Sequence, residues 1–568
     1  MLLAKFQSPL FISKNIENAR WFSISGSKNV IHRAKKPRID VGGVSCTKMV
    51  LDKVWQNSVA FPGRYAFIDS TNPQMKRTYR DVYLHSYSLA TFLKNELNLQ
   101  KGQVACSFMP NSVDSASVFL GTTLAGGVIS PASSYYSAED LARQMNDSDS
   151  TVVFCTEAGL DTVLEAKKLA PKVKKVITVG PLISEFTAKK STLYKEIKKI
   201  QPKFEEVPID SDNDFFCLPY SSGTTGLPKG VLLTHRNMAT MLPNFTDMMK
   251  EHVYDMLIPP SLPWEQNSIL ILPFFHIFGL GMMLSGIYSG ETIVVMNRFD
   301  LEMFCKCIQD YKIRIVTVAP PILVALAKHP VVEKYDLSSL EAVLCGAAPV
   351  GRDLCNEVKK RLPSVKHIIQ GFGMTEVAMV ANVGSIKTKT PIESVGLLVN
   401  GYELKVVDPE SGEAVGTNKK GELWYRSDQV MKGYLNKPED TAATVDSEGW
   451  LHSGDVGYID DDGHVFIVDR LKELIKVKGF QVPPAELEDL LLSHPKVKDC
   501  AVVGVPCEIR GEVPKAFIVK KCDSLEEDEI HDFVNEKVTK YKQLKGGISF
   551  ISEIPKSPSG KILRRMLK

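Results

Sequence analysis

The sequence lacks the features of a disulfide-stabilised, zinc-stabilised or repeat-containing protein. Its eleven cysteines are scattered and odd in number, and no Cys-x-x-Cys pair occurs among them. This pattern argues against a structural zinc site or a disulfide framework, and it indicates reduced thiols in an intracellular compartment. Internal repeats, coiled-coil heptads and long low-complexity stretches are also missing. We therefore expect a globular protein whose stability comes from its hydrophobic cores.

Long hydrophobic runs are scarce, with one exception that needs separate treatment. Residues 266–290 contain no Asp, Glu, Lys or Arg, and a run of that length could cross a membrane. Pro273, His276 and four glycines interrupt the run, and neither a flanking charge bias nor an aromatic belt accompanies it. We predict no transmembrane span, but a buried strand, loop and helix that line an apolar pocket.

Positive charge is scarce outside the N-terminus. The formal net charge is +3, yet residues 1–40 carry eight Lys and Arg against two acidic residues. That surplus of six leaves the rest of the chain at −3. The body of the protein is therefore not expected to bind nucleic acid.

The N-terminal segment resembles a mitochondrial presequence. It is rich in Ser, Lys and Arg and has amphipathic apolar positions at Leu2, Leu3, Phe6, Leu10, Phe11 and Ile12. The sequence Arg20-Trp21-Phe22-Ser23 resembles a presequence cleavage site. We predict a presequence over residues 1–22 and a location in the mitochondrial matrix. A disordered basic tail is the alternative for the segment, and a peroxisomal or cytoplasmic location is the alternative for the protein.

The order of apolar runs indicates the fold class. A chain of 568 residues is too long for one ordinary core. Strand-like runs at 104–109, 151–155, 176–179, 314–318 and 342–345 alternate with helix-like stretches such as 114–126 and 158–169. This alternation predicts α/β layers with mostly parallel sheets. From about residue 395, short strands and turn signals predict a β-rich subdomain, followed past Arg470 by a compact, lysine-rich stretch.

The most informative segment is residues 221–230, which read SSGTTGLPKG. It lies between two apolar runs, 215–220 and 231–233, as a tight loop between two strands would. Glycines let backbone N–H groups converge on an anion, hydroxyls add donors, and Lys229 neutralises charge. The loop therefore predicts a polyphosphate site. It is not the common P-loop, because no Gly-Lys-Ser/Thr closes it and no helical pattern follows at once.

This ordered string resembles the signature of the adenylate-forming superfamily, which includes acyl-CoA synthetases, 4-coumarate–CoA ligases, luciferases and peptide-synthetase adenylation domains. The resemblance extends over roughly residues 50–568. It implies a large AMP-binding N-terminal domain over residues 45–470, built of α/β layers with a β-rich subdomain. It also implies a small, mobile C-terminal α+β lid over residues 473–568, with a hinge near Lys472.

Two further motifs occur in the order that the superfamily shows. Residues 370–376 read QGFGMTE, in which an aromatic ring can stack on a purine and Thr375-Glu376 offer oxygen ligands to Mg²⁺. The superfamily often has Tyr where this chain has Phe372, so stacking is kept and any hydroxyl contact is lost. Asp455 follows a small-residue turn, and a carboxylate can accept two hydrogen bonds from ribose hydroxyls.

The resemblance implies a role for each residue of these motifs. Thr375 would contact the α-phosphate, and Arg470 would assist at the ribose and phosphate. Metal ligands would be Thr225 and Glu376. Contacts to ATP or CoA would come from Ser222, Gly223, Thr224, Thr225, Gly226, Lys229, Gly346, Ala347, Ala348, Pro349, Gln370, Gly371, Phe372, Gly373, Thr375, Asp455, Arg470, Gly479, Phe480 and Gln481.

The same resemblance implies three catalytic or gating residues. Lys561 matches the C-terminal lysine that bridges the carboxylate and the α-phosphate, whose mutual repulsion its charge offsets. Lys476 matches a lysine of the small-domain loop used in the second half-reaction. His276, after Pro273-Phe274-Phe275, matches a histidine at the mouth of the acyl pocket. No cation stands out in the neighbouring sequence to meet a second carboxylate, so a monocarboxylate with a hydrocarbon body is expected.

These observations predict an ATP-dependent acid–CoA ligase that uses ATP, Mg²⁺ and CoA. The expected acid is a medium- or long-chain fatty acid, with an aryl-propenoic acid as the alternative. A luciferase-like adenylating oxygenase is a different reading with nearly the same motifs. A non-catalytic binding protein would be expected to lack Lys561 or Glu376, and a ligase that loads a carrier protein would need that partner. No obligate protein partner is expected.

Overall fold

A computed structural model describes residues 30–180, 184–221, 228–262, 265–478, 480–507, 509–556 and 561–567. The predicted presequence, the loop residues 222–226 and Gly479 lie outside these described residues. The assignments made for them stay predictions.

The first part of the described chain, up to residue 221, alternates short strands with helices. Its strands are β1 (His32–Arg33), β2 (Tyr65–Asp69), β3 (Lys76–Thr78), β4 (Val104–Phe108), β5 (Val128–Ala132), β6 (Val152–Cys155), β7 (Lys175–Thr178), β8 (Thr192–Leu193), β9 (Phe215–Cys217) and β10 (Tyr220–Ser221). Its helices are α1 (Cys46–Ala60), α2 (Tyr79–Thr91), α3 (Ser115–Leu124), α4 (Ala138–Asp147), α5 (Leu160–Leu169), α6 (Glu185–Lys190) and α7 (Tyr194–Ile197).

The middle part, from residue 228 to about 383, continues the same alternation. Its strands are β11 (Lys229–Thr234), β12 (Asn267–Leu270), β13 (Thr292–Val295), β14 (Ile315–Val318), β15 (Ala342–Cys345), β16 (His367–Phe372) and β17 (Asn382–Val383). Its helices are α8 (His235–His252), α9 (Ile277–Ser289), α10 (Leu301–Tyr311), α11 (Pro320–Lys328) and α12 (Arg352–Arg361).

The last part is richer in strands. They are β18 (Leu397–Leu398), β19 (Glu403–Val407), β20 (Ala414–Val415), β21 (Gly421–Arg426), β22 (Gly433–Tyr434), β23 (Leu451–Ile459), β24 (Val465–Arg470), β25 (Ile475–Val477), β26 (Phe480–Val482), β27 (Val497–Cys507), β28 (Gly511–Lys520) and β29 (Ile548–Phe550). The helices are α13 (Pro438–Thr444), α14 (Pro484–Leu492) and α15 (Glu527–Asn535).

Three sheets of the large domain follow the α/β pattern that the apolar runs predict. The largest has the order β10-β11-β9-β5-β4-β6-β7-β8, with β22 beside β11, and β5, β4, β6 and β7 run parallel in it. A second sheet runs β14-β15-β16 in parallel and ends in the antiparallel strands β17 and β18. The third has the order β12-β13-β2-β3.

The β-rich subdomain and the small domain complete the predicted fold class. Strands β1-β19-β21-β23-β24 form an antiparallel sheet with β20 at the side of β19. The last sheet has the order β26-β25-β28-β27 with β29 parallel to β28, and it shares an apolar core with α14 and α15. The fold class is thus confirmed, whereas the exact domain limits and the hinge stay predictions.

The charge-free run at residues 266–290 forms the predicted strand, loop and helix. Strand β12 leads through a short loop into α9, and both elements are largely buried. Within the described residues, no helix combines the length and the apolar character that crossing a membrane requires.

Candidate active site

The metal-binding carboxylate that the sequence predicts lies in a buried turn. Thr375 and Glu376 follow β16 in a short 3-10 turn, and they are only 7% and 5% exposed. Glu376 Oε1 accepts a hydrogen bond of 2.9 Å from the hydroxyl of Tyr434. Its backbone carbonyl accepts another of 2.9 Å from Met431 N. These contacts hold Glu376 beside the segment that runs from Met431 to Tyr434.

Tyr434 also connects this carboxylate to the end of the glycine-rich loop. It lies on β22, which pairs with β11, and β11 begins with Lys229. Lys229 Nζ is 5.0 Å from the centre of the Tyr434 ring and 3.0 Å from Asp440 Oδ2. The lysine predicted to bind phosphate and the carboxylate predicted to bind magnesium therefore share one aromatic neighbour. Oxygen ligands of this kind suit Mg²⁺, which would neutralise charge on the phosphates of ATP.

The predicted ribose ligand is a buried carboxylate with an unused oxygen. Asp455, on β23, is 3% exposed, and its Oδ1 lies 3.3 Å from Nε of Arg470 on β24. Its Oδ2 is buried without a hydrogen-bond partner. Burial raises the pKa of the Asp455 carboxyl above its usual value, although the positive charges of Arg470 and Lys561 act to lower it. Because buried acceptors are normally satisfied, this oxygen fits a ligand hydroxyl such as that of a ribose.

Residues 346–349, predicted at the adenine, form the turn after β15. Ala347 has a positive φ of 73°. A Cβ atom on Gly346 would lie 2.9 Å from the Phe278 ring, so only glycine allows this close approach. Gln370 uses its amide to hold the turn, because it accepts from Val350 N at 2.9 Å and donates to Val350 O at 3.1 Å. Ala348 and Pro349 complete the turn that Gln370 secures.

The predicted purine-stacking segment follows directly. Phe372 ends β16, and its ring stacks on Tyr425 with centroids 5.7 Å apart and planes at 24°. Gly371 pairs with Val383 in the sheet. A Cβ atom on Gly373 would lie 1.7 Å from the carbonyl oxygen of Met379, so the chain can make this turn only with glycine. The Tyr425 ring thus supports the Phe372 ring, which is predicted to stack on the purine.

Lys561 reaches this cluster from the small domain. Desolvation lowers the pKa of its ammonium, and the charge of Arg470 acts in the same direction. The carboxylates of Asp455 and Glu376 oppose this shift, so the lysine lies within the field of both. The structure thereby unites the predicted catalytic lysine with the predicted ribose and metal carboxylates.

An ion-pair cluster anchors the tail that carries this lysine. Arg564 NH2 donates to both oxygens of Glu488, at 2.8 and 2.7 Å, and NH1 donates to Glu473 at 2.6 Å. These charge-assisted hydrogen bonds hold the guanidinium, three residues beyond Lys561, against Glu488 of α14.

The predicted gating histidine lies at the start of α9. His276 caps this helix, since its Nδ1 accepts a hydrogen bond of 3.3 Å from Phe278 N. Desolvation, together with the charge of Lys561, lowers the pKa of His276 to about 4. The ring is therefore neutral at pH 7, and with Nδ1 as acceptor its proton sits on Nε2. His276 thus offers one N–H donor at this position.

Two close contacts limit the space beside His276. A Cβ atom on Gly281 would lie 2.2 Å from Sδ of Met379, so this thioether packs directly onto α9. Met379 and Ala378 both have positive φ values, 113° and 55°, which non-glycine residues rarely adopt. The Phe278 ring, also on α9, packs closely against Gly346. The apolar wall expected from the sequence is therefore closed by Met379 and Phe278.

The residues predicted for the second half-reaction lie on a hairpin of the small domain. Lys476 on β25 pairs with Gln481 on β26. Phe480 is 55% exposed, and its ring stacks on Tyr541 with centroids 4.5 Å apart. Lys476, Phe480 and Gln481 are exposed, in contrast to Lys561. Their roles toward CoA stay predictions.

Two residues near the site, Tyr434 and Met379, are not indicated by the sequence motifs. Tyr434 lies 58 residues after Glu376, and the two meet through their side chains across distant segments, so no local pattern could show the contact. Met379 lies three residues after Glu376 within an apolar stretch, and its position in the pocket depends on two unusual backbone conformations.

Together, this fold and this cluster define an adenylate-forming enzyme. The chain belongs to the AMP-binding enzyme family. It matches that family over residues 54–435 and the AMP-binding enzyme C-terminal domain over residues 486–561. The protein is accordingly an AMP-forming acid–CoA ligase that uses ATP, Mg²⁺ and CoA.

Two plant enzymes illustrate the similarity in sequence. The chain is 42% identical over 499 residues to 4-coumarate–CoA ligase 2 of Petroselinum crispum, covering 86% of this chain and 88% of that protein. It is 38% identical over 557 residues to 4-coumarate-CoA ligase 1 of Narcissus pseudonarcissus, covering 96% and 97%.

Solved structures show the same architecture. The anthranilate CoA ligase AuaEII in complex with anthranoyl-AMP matches with a TM-score of 0.81 and 25% identity, covering 91% of this chain and 96% of that chain. ATP-bound MatB from Rhodopseudomonas palustris matches with a TM-score of 0.80, covering 92% and 98%, and at 22% identity this likeness concerns the fold alone.

Proposed function

We propose that the acid activated by this ligase is an aromatic monocarboxylate of the aryl-propenoate type. The observation that carries the proposal is the 42% identity, over 86% of this chain, to a 4-coumarate–CoA ligase. The match to an anthranilate CoA ligase supports it, because anthranilate is also an aromatic acid. A fatty acid, the first expectation from the sequence, thus becomes the second candidate.

The geometry of the pocket supports an acid of limited length. Met379 packs directly onto α9 at Gly281, and Phe278 covers Gly346. A long alkyl chain would have to displace the thioether to pass along α9, whereas a flat ring can lie against aromatic and sulfur surfaces. A medium-chain fatty acid would bind only if the Met379 side chain moved away from Gly281.

The residues suggest a division of work in two steps. In the first, the carboxylate attacks the α-phosphorus of ATP and pyrophosphate leaves, with the charge of Lys561 offsetting repulsion between the two anions. The Nε2–H of His276 is available to donate to an acid oxygen. In the second, the CoA thiol attacks the adenylate carbonyl and AMP leaves. We propose that the small domain turns about Lys472 between the steps and brings Lys476 to the site.

A panel of acids tests the substrate. Pyrophosphate release is measured with 4-coumarate, anthranilate, octanoate and palmitate, each with and without CoA. We expect 4-coumarate to be the best of the four and AMP formation to keep pace with acyl-CoA formation. A higher kcat/KM with octanoate or palmitate than with 4-coumarate would favour a fatty acid as the substrate. Turnover that needs oxygen rather than CoA would indicate the luciferase-like alternative.

Met379 is expected to set the length of the acid. Replacing it with alanine removes the thioether from Gly281, so kcat/KM for octanoate should rise about tenfold and that for 4-coumarate should fall about tenfold. Met379→Leu, which keeps the volume, serves as the matched control and should retain the wild-type preference. Equal changes in kcat/KM for both acids would show that Met379 does not determine which acid is preferred.

The location of the protein is a separate proposal. We propose that residues 1–22 direct the chain to mitochondria, on the basis of their basic, amphipathic composition. A fluorescent protein fused behind residues 1–40 should enter mitochondria, and the mature chain should begin near Ser23 by N-terminal sequencing. A fusion with Arg20→Ala tests the cleavage site. A cytosolic fusion with an intact N-terminus would refute the proposal.

A further inference from the structure

We propose that Glu422 is a positioning residue for the nucleotide, which acts by holding the backbone turn that carries Asp455. The proposal rests on the assignment of Asp455 to the ribose. Glu422 lies on β21, and its Oε1 accepts a hydrogen bond of 2.9 Å from the backbone N–H of Gly454. Its Oε2 accepts another of 2.8 Å from Nε1 of Trp424. Both carboxylate oxygens are therefore engaged by donors.

The strand pairing explains why Gly454 needs this acceptor. Strands β21 and β23 pair Glu422 with Val456 and Trp424 with His452. Three residues of β23 thus lie opposite a single residue of β21, which places residues 453–455 in a bulge. Within this bulge Gly454 adopts a φ of +72°, a conformation that favours glycine. Its N–H is directed to the Glu422 side chain instead of a ladder partner.

The carbonyl side of Gly454 is held as well. The carbonyl oxygen of Gly454 accepts a hydrogen bond of 2.8 Å from Leu471 N. Asp455 N donates to Ser453 Oγ at 3.0 Å. The backbone of the turn is therefore fixed at three points, and of these three contacts the one with Glu422 involves a carboxylate. Because Gly454 directly precedes Asp455, the orientation of this turn sets where the unpartnered Oδ2 of Asp455 points.

Trp424 orients Glu422 and supports the start of the turn. Its indole N–H fixes one oxygen of the carboxylate, and its ring stacks on His452 at 3.7 Å with planes at 10°. His452 directly precedes Ser453, so Trp424 contacts both the Glu422 carboxylate and the residue just before the bulge. Glu422 itself lies 32 residues before Gly454, and no local pattern indicates the contact.

The test compares ATP with 2′-deoxy-ATP and 3′-deoxy-ATP in acid-dependent pyrophosphate exchange. We expect the wild-type enzyme to prefer ATP over at least one analogue by about tenfold or more in kcat/KM. Glu422→Ala should raise the KM for ATP about tenfold, leave kcat within about twofold, and bring this preference close to one. The KM for the acid should not change. A purely structural role would lower turnover of all three nucleotides equally.

Two variants with an uncharged amide at position 422 serve as the test if Glu422→Ala folds poorly. In Glu422→Gln the amide can accept from Gly454 N, but its NH₂ then faces the N–H of Trp424, so the preference for ATP should fall. Adding Trp424→Phe removes the opposing donor and should restore the preference. Thermal unfolding of each variant monitors folding. A double variant no better than Glu422→Gln would overturn the proposed hydrogen-bond arrangement.

Asp455→Ala tests the ribose assignment of Asp455 separately from the positioning role of Glu422. If this variant and the Glu422 variants both lose discrimination between ATP and the deoxy analogues, the positioning role is supported. If Asp455→Ala alone loses it, the ribose assignment stands and the role of Glu422 is wrong. If Asp455→Ala keeps the wild-type discrimination, the ribose assignment itself fails.

Discussion

Replacing Lys561 with alanine is expected to reduce acyl-adenylate formation by about 10²- to 10³-fold, while thioester formation from supplied acyl-adenylate stays within about twofold. Lys561 lies in the field of Asp455 and Glu376, where its charge can meet both the acid and the α-phosphate. Once the adenylate exists, the two anions are already joined and that charge is no longer required. Pyrophosphate release measures the first step, and thioester formation from synthetic acyl-adenylate and CoA measures the second.

The same tail provides a matched control. Lys556 lies five residues earlier, and its Nζ forms an ion pair of 2.6 Å with Asp499, so Lys556→Ala should leave both half-reactions unchanged. Lys476→Ala is the reciprocal variant and should impair the second step more than the first. Equal loss in both half-reactions for Lys561→Ala would contradict the assignment.

Much of the fold follows from apolar runs, because buried parallel strands are apolar on both faces. The run at 342–345 coincides with β15, and the run at 104–109 matches β4 to within one residue. The run at 266–290 divides into β12 and α9 as its proline, glycines and histidine indicate. In these regions local pattern and tertiary environment agree.

The site was predictable where one motif or one hairpin brings the residues together. Asp455 and Arg470 lie opposite each other on β23 and β24, which the Asp-Asp-Asp-Gly turn joins. The contacts of Glu376 with Tyr434 and of Gly454 with Glu422 are not predictable, because they join segments that are distant in the sequence. A sequence pattern specifies which face a side chain occupies and not which distant strand lies beside it.

The choice of acid shows the same limit. The sequence predicts a fatty acid first and an aryl-propenoic acid second, although an apolar run around His276 fits an alkyl chain and an aromatic ring equally well. We propose that the contact between Met379 and Gly281 separates the two. It accompanies positive φ values at Ala378 and Met379, which hydrophobicity does not encode. The identity to 4-coumarate–CoA ligases points to the same choice.

Replacing Lys472 with proline is expected to leave adenylation within about threefold of wild type and to lower CoA-dependent turnover by at least about 100-fold. Lys472 is exposed and lies between β24 and β25, the last strand of the β-rich sheet and the first of the small domain. Proline fixes φ near −65° and restricts the residue before it, so the chain could no longer change direction here. The present arrangement, with Lys561 at the nucleotide carboxylates, would persist.

The contacts on either side of Lys472 suggest why the effect should be selective. Leu471 N is bound to Gly454 O at 2.8 Å, which ties the preceding residue to the large domain. Glu473 pairs with Arg564 at 2.6 Å, which ties the following residue to the tail that carries Lys561. A rotation between two such anchored neighbours has to be absorbed by the backbone dihedrals at and around Lys472.

Lys472→Ala is the matched control, since it removes the side chain and its charge without fixing φ, and it should retain CoA turnover within about threefold. Pyrophosphate exchange and thioester formation are measured on the same folded preparation of each variant, with circular dichroism to monitor folding. A rigid two-domain clamp predicts that Lys472→Pro keeps both reactions or loses both through misfolding. Normal CoA turnover in Lys472→Pro would therefore remove the hinge from the mechanism, because a locked backbone cannot deliver Lys476 to a site that Lys561 still occupies.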